Sequence, residues 1–233
     1  QSAPNNLAGM TGAPLMAGDS TALVEPAYSV VIPVYSSARI LPELHRRLTT
    51  VMQELGKSYE VIFVDDCGRD NSWQVLQELV ATDKTVTAIQ LMRNSGQSNA
   101  TLCGLAHASG KSIITMDDDL QHPPEEIPEL LKALTPDVDV VMGVPREKKH
   151  HWFRRFGSKA MHDINCYLLG KDRNLRFTSF RLMRRPVVDG LLELRTLSPA
   201  LGPMINSVTH RIINTTVQHA PRKEGRSGYT VRR

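Results

Sequence analysis

Two rhythms of apolar and polar positions alternate from Tyr28 onward. Short β-branched runs at residues 29–34, 60–64, 86–91, 112–116 and 138–142 have the character of strands. Between them apolar residues recur at three- and four-residue steps, the spacing of an amphipathic helix. Leu41, Leu44, Leu48, Val51 and Leu55 form one such set, and Val75, Leu76, Leu79 and Val80 a second. Leu102, Leu105 and Ala106 form a third before Gly110, and Ile127, Leu130, Leu131 and Leu134 a fourth. Strand–helix alternation of this kind predicts an α/β fold, a mostly parallel sheet with helices on both faces. Nearly all of these apolar residues are core positions.

Beyond Gly143 the rhythm changes. A basic segment containing aromatics leads into an expected helix over about 152–169, then a strand over 178–183. Helices over 187–194 and 200–208 and a last strand over 212–217 follow. Residues 1–27 are rich in Ala, Gly, Pro and Asn and show no periodicity, which predicts a mobile leader rather than a signal peptide. The rest, 28–233, is expected to be one domain: residues 28–143 bind a ligand and 144–233 complete the site.

Composition narrows this picture. A hydrophobic fraction of 41% in 233 residues supports a sizeable core. The formal net charge is +4, but basic residues gather at 146–159 and 222–233 while the acidic motifs lie in the first half. That asymmetry points to an anionic partner: phosphates, nucleic acid or an anionic membrane surface. Cys67, Cys103 and Cys166 are odd in number and far apart, against a disulfide framework or a zinc site. No run of about 18 apolar residues predicts a membrane span.

The most informative stretch is Met116-Asp117-Asp118-Asp119-Leu120-Gln121-His122-Pro123-Pro124-Glu125, which follows a strand-like run. Adjacent carboxylates repel one another and become tolerable around a hard divalent cation, Mg²⁺ or Mn²⁺, which prefers oxygen ligands. On an extended segment Asp117, Asp119 and Gln121 face one way and Asp118 the other. The plain alternative is a solvated acidic loop.

Other candidates share the same expected sheet edge. Tyr35 follows the first strand and Asp65-Asp66 the second. A carboxylate there accepts hydrogen bonds from a base edge and a Tyr ring stacks on it, or the pair simply caps the next helix, with Asp70 or Asn71 at its N-cap. The Arg93-Asn94-Ser95-Gly96-Gln97 turn opens a helix and would present donors to a diphosphate. It carries neither GxGxxG nor GxxxxGK[ST]. Lys148, Lys149, Arg154 and Arg155 with Trp152 and Phe153 suit an anionic lipid surface. No nucleic-acid recognition motif accompanies that patch, so no nucleic-acid partner is expected.

Taken together, Val31-Ile32-Pro33-Val34-Tyr35, Val64-Asp65-Asp66 and the Asp117–Glu125 segment resemble the inverting family-two glycosyltransferases of GT-A fold. More narrowly they are similar to the branch of dolichol-phosphate mannose synthase and bacterial polyprenyl-phosphate glycosyltransferases. Ser179-Phe180-Arg181-Leu182 and the Pro221-Arg222…Gly225…Ser227 stretch fit the same branch. The resemblance implies a nucleotide-sugar donor contacted by Pro33, Tyr35, Val64, Asp66 and Asp118. It implies a divalent metal on Asp117 and Asp119, with Gln121, and a polyprenyl phosphate acceptor near Arg155 and Ser158. Arg146 and Arg222 would close on the donor phosphates.

Three departures stand out: Ser36-Ser37 where the family often has Asn-Glu, Gly228 where the branch often has Lys, and Leu175 at about the place of a usual Asp. The reading is therefore an inverting, metal-dependent glycosyltransferase at the cytoplasmic face of a membrane. It would be attached peripherally, through an anchor subunit, or by a membrane segment after the basic end at Arg232-Arg233. Two alternatives are a transferase acting on a saccharide hydroxyl, for which Asp163 or Asp172 would be the base, and a non-catalytic nucleotide-binding scaffold.

Overall fold

The computed structural model describes residues 25–146, 175–196 and 198–220. Seven strands form one sheet in the order β3-β2-β1-β4-β6-β5-β7. They are β1 (Tyr28–Val34), β2 (Tyr59–Asp65), β3 (Val86–Gln90), β4 (Ser112–Thr115), β5 (Val140–Pro145), β6 (Arg181–Arg184) and β7 (Ile212–Val217). The described helices are α1 (Leu41–Glu54), α2 (Ser72–Thr82), α3 (Gln97–His107), α4 (Ile127–Ala133), α5 (Arg185–Glu193) and α6 (Leu201–Val208).

Period-two alternation in the strands sorts the core into two layers. Val30, Ile32, Val34, Val61 and Phe63 face Leu41, Leu44 and Leu48 of α1 together with Leu76 and Leu130. Val31, Ile62, Val64 and Ile113 face Ala100 and Leu105 of α3, then Val188 and Leu191 of α5 and Ile205 of α6. Helices thus cover both faces, as the alternation predicts. α3 sits close because position 104 is Gly: a Cβ there would lie 2.4 Å from Val31 Cγ1 and 3.2 Å from Val64 Cγ2.

The sheet is mostly parallel, as expected, and β6 is its antiparallel member. β6 runs antiparallel to both β4 and β5, while β5 and β7 pair in parallel. The expected strand over 178–183 therefore pairs only from Arg181; before it, Ser179 O accepts the Thr115 hydroxyl and Phe180 O accepts the Gly143 N–H. Strand β5 starts two residues later than expected because Val138 N–H closes a turn onto Thr135 O. Residues 26 and 27, expected within the leader, are hydrogen-bonded to the body of the fold: Ala27 N–H donates to Ser58 O and Pro26 O accepts Lys111 N–H. The remainder of that leader, and the helix expected over about 152–169, lie outside the described residues.

From β1 the chain winds outward through β2 to β3, then returns to the other side of β1 as β4. Such a reversal opens a crevice at the carboxyl ends of the two strands. Tyr35 and Asp117 stand at those ends.

Candidate active site

Sharp turns leave three neighbouring strands at this edge. Ser36 after β1, Cys67 after β2 and Leu120 after β4 all hold positive φ, at 54°, 56° and 58°. For L-residues this conformation costs about 1–2 kcal/mol each. Leu120 keeps it while its side chain is buried in the core, so packing fixes the turn that presents the acidic triplet.

The triplet divides three ways. Asp117 accepts Gln97 Nε2 at 2.5 Å on one oxygen and the Ser179 hydroxyl at 2.5 Å on the other. Asp118 turns toward β1, where one oxygen accepts Tyr35 N–H at 3.0 Å and the Ser37 hydroxyl at 2.6 Å. Asp119, buried, accepts the Gln121 N–H at 3.0 Å. Burial pushes the Asp118 carboxyl up to about 6, against the pull of its Ser37 and Tyr35 hydrogen bonds and with the push of Asp117 and Asp119. Burial raises Asp117 too; the Ser179 bond counters it and the Asp119 charge adds to it. Three carboxylates thus gather at this edge, with the Arg181 and His122 charges acting on Asp117 through space.

Does that donor set suit a divalent cation? Among the described residues no group of three or more His, Cys, Asp or Glu is disposed to hold a metal. Mg²⁺-type sites commonly use one or two carboxylates and take their other oxygens from water and substrate phosphates. Asp117 and Asp119, the charge of the second close enough to raise the pKa of the first, fit that pattern. The segment is not the extended run expected, since Asp118 and Asp119 lie in a turn that Leu120 closes at positive φ; Asp118 still points away from Asp117, toward β1.

Asp65 and Asp66 both take hydrogen bonds within the protein. Both are buried. Asp65 accepts Gly68 N–H and Gln90 Nε2, at 3.3 and 3.1 Å. Asp66 accepts Ser95 N–H at 2.6 Å and Gly96 N–H at 2.8 Å. It clamps the turn before α3, and Gly96, at φ 89°, makes that turn without a Cβ penalty. Two donors that the turn was expected to offer a diphosphate are therefore spent inside the protein. The cap of α2 comes from Asp70, which accepts both the N–H and the hydroxyl of Ser72, rather than from Asn71.

Pro33 and Val64 are sheet partners and both are buried; Val64 packs toward α3, so only backbone is left to meet a ligand. Tyr35 is 47% exposed, with its ring free to stack. Arg146 is exposed at the end of β5, its N–H bound to Val217 O. After β7, Gln218 N–H donates to Glu126 and Ala220 N–H to Gln121 O, which pins the segment before Pro221 beside the triplet. Arg155, Ser158, Arg222 and the basic-aromatic residues 148–155 lie outside the described residues, as do Asp163 and Asp172.

Sequence reasoning passed over four residues that shape this site. Gln97 and Ser179 hold Asp117, and Ser37 holds Asp118. His122 stacks on Phe180 with centroids 5.3 Å apart and meets His219 edge-on at 5.1 Å. Both its ring nitrogens are enclosed without a hydrogen-bond partner among the described residues. Each of the four stood inside a stretch already singled out, Gln97 in the turn before α3, Ser37 in the Ser36-Ser37 departure, His122 in the acidic motif and Ser179 in Ser-Phe-Arg-Leu, but none was given these partners.

Comparison with known proteins gives this geometry a family. The family described as Glycosyl transferase family 2 matches residues 29–192. Among solved structures, the mannosyltransferase PcManGT from Pyrobaculum calidifontis, in complex with GDP-Man and Mn²⁺, aligns with a TM-score of 0.61 at 18% identity. The alignment covers 87% of this chain and 59% of that one. Glucosyl-3-phosphoglycerate synthase from Mycobacterium tuberculosis, with Mn²⁺, UDP and phosphoglyceric acid, aligns at 0.63 and 14% identity, over 86% and 72%. S. aureus TarS 1-349 with UDP-GlcNAc aligns at 0.58 and 19%, over 87% and 61%. At these identities the likeness is one of fold, and the chain spans about three fifths of the first and third of these proteins.

Proposed function

Since the chain belongs to glycosyl transferase family 2, we propose that it moves a sugar from a nucleotide-sugar to a polyprenyl phosphate at a membrane surface, inverting the anomeric centre. The observation that carries this reading is the split triplet. Asp117 and Asp119 stand between an exposed Tyr35 on one side and a polar cleft by Gln97 and Ser179 on the other.

In this reading the Tyr35 ring stacks on the base, and Asp118 sets the Tyr35 backbone. Asp117 and Asp119, with Gln121, hold Mg²⁺ or Mn²⁺, which when bound neutralises charge developing on the leaving diphosphate. Arg146 and Arg222 add positive charge to the diphosphate, and Arg155 and Ser158 receive the acceptor phosphate. An oxygen of that phosphate bonds to the anomeric carbon as the bond to the nucleoside diphosphate breaks, and the nucleoside diphosphate leaves with the electron pair. The acceptor is already an anion, so no residue need remove a proton.

The Asp-Leu-Gln-His-Pro-Pro-Glu pattern and the basic stretch over 146–159 support the lipid phosphate as acceptor. The GDP-Man, UDP and UDP-GlcNAc complexes of the structural neighbours support a nucleotide-sugar donor. No helix among the described residues is long and apolar enough to cross a membrane. The basic-aromatic patch is the proposed surface contact, and Lys148, Lys149 and Trp152 replaced together should abolish flotation with anionic liposomes. The deciding experiment supplies nucleotide-sugars with Mn²⁺ and compares a short polyprenyl phosphate with an oligosaccharide acceptor. Transfer to the lipid phosphate supports the reading; transfer to the oligosaccharide alone overturns it.

A further inference from the structure

Arg181 carries a charge that its surroundings leave short of partners. It opens β6 beside Thr115 and Met142 and is only 6% exposed. Its Nε donates to the Thr115 hydroxyl at 2.9 Å, and its two terminal nitrogens have no hydrogen-bond partner among the described residues. They are not sealed in, for only His122 has fully enclosed, unpartnered side-chain nitrogens there. Instead Arg181 lines a cleft of about 210 Å³.

The nearest counter-charge is engaged elsewhere. Both Asp117 oxygens take hydrogen bonds, from Gln97 and Ser179, and Asp117 acts on the guanidinium only through space. Burial lowers the Arg181 pKa to about 10, which leaves it cationic at neutral pH. Buried charges without an anion beside them are costly, and a ligand that brings the anion removes that cost.

The rest of the cleft is polar; the Thr101, Thr178 and Ser179 hydroxyls donate to Gln97 O, Phe180 O and Asp117, which leaves the Ser98 hydroxyl to turn toward a ligand. Ser98 and Thr101 line it from the first turns of α3, and Thr178 and Ser179 from the approach to β6. Asp66 occupies the N–H groups of Ser95 and Gly96, leaving those of Gln97 and Ser98 at the positive end of this 11-residue helix. Phe177, Leu201 and Gly202 close the far wall.

We propose that this cleft is an oxyanion subsite, in which Arg181 holds a carboxylate or phosphate group of the molecule bound beyond the donor diphosphate. The assignment rests on the nucleotide-sugar reading, which puts the diphosphate at Asp117 and Asp119. The cleft, on the side of Asp117 away from Tyr35, is then where sugar and acceptor meet. Two sources carry the required group: the phosphate of the acceptor, or the carboxylate of a uronic donor sugar. A planar guanidinium meets either one through two parallel hydrogen bonds.

Calorimetric titration of the full chain tests this with Mg²⁺ and a saturating nucleoside diphosphate, using inorganic phosphate and glucuronate as separate probes. Arm one asks whether the nucleotide binds. Absent nucleotide binding overturns both readings, whereas nucleotide binding with neither probe bound overturns the subsite alone. Arg181→Gln should weaken the bound probe at least tenfold without changing nucleotide affinity. Phosphate binding lost in this way identifies the acceptor headgroup, and glucuronate binding lost in this way identifies the donor sugar. Equal probe affinity in a folded Arg181→Gln variant overturns the proposal. Ser98→Glu provides the second variant should Arg181→Gln not fold, because Glu suits the first turn of a helix and repels an oxyanion. It too should weaken the probe at least tenfold, and unchanged affinity there counts against the subsite.

Discussion

The Asp118 carboxylate accepts the Ser37 hydroxyl at 2.6 Å across 81 positions of sequence. The same oxygen takes the Tyr35 N–H, so the middle member of the triplet ties the end of β4 to the end of β1. Ser37→Ala should cost about 1.5 kcal/mol, the low end for a hydrogen bond to a charged group, since Asp118 keeps its Tyr35 partner. Urea denaturation measures that loss. Nucleotide affinity should fall as well, because the backbone that carries the Tyr35 ring is less fixed; a variant as stable as the parent would make this hydrogen bond incidental.

Much of this was readable from spacing alone. The β-branched runs at 29–34 and 60–64 marked two strands with helices on both faces, and the structure puts Val30 and Val61 in one layer and Val31 and Ile62 in the other. The Leu41, Leu44, Leu48 set placed α1 on its buried face. Strand direction was not readable, because β6 is buried on both sides and its apolar residues look alike in either orientation. Nor were the turns at Ser36, Cys67 and Leu120, since none of these side chains favours positive φ and tertiary packing alone selects it. The second role of Asp66 escaped for a related reason. Its partners, Ser95 and Gly96, are backbone N–H groups of a distant loop that no side-chain pattern announces.

The metal reading makes a separable prediction. Asp119→Asn removes one of two carboxylates while its amide oxygen can still accept the Gln121 N–H, so the loop should persist. Turnover should fall by about a hundredfold or more, the scale of lost electrostatic stabilisation of a leaving group. Nucleoside diphosphate affinity, titrated with and without Mg²⁺, should lose its metal-dependent part and keep the rest. Undiminished wild-type turnover in excess chelator would contradict the assignment of Asp117 and Asp119.

Close packing of α3 makes Gly104 the most sensitive small residue in the core. Gly104→Ala places a methyl 2.4 Å from Val31 Cγ1, so either the helix or β1 must shift, at a cost of about 1–3 kcal/mol. The double variant Gly104→Ala with Val31→Ala should recover part of that loss, since it removes the clashing methyl. Melting curves for both variants check the coupling, and additive losses would place the strain elsewhere.

Acid stability tests the Asp70 cap. Burial alone would raise this carboxyl, but the Ser72 hydroxyl and the N–H groups of Ala38 and Ser72 outweigh it and hold the pKa below its ordinary 3.8. A carboxylate depressed in the folded state stabilises the protein above its unfolded pKa, and that contribution fades as pH falls through the lower, folded value. Asp70→Asn keeps the shape but halves the acceptors, releasing either the Ala38 loop or the Ser72 cap. The stability gap between parent and variant should be widest above about pH 4.5 and should shrink steadily toward about pH 2, where the parent carboxyl is protonated as well. Urea midpoints in a pH series read that gap directly. Asp83 and Glu125, also depressed, titrate in both proteins and cancel in the difference. A gap of constant size across the series would mean that the lost shape, and not the lost charge, is what Asp70 contributes.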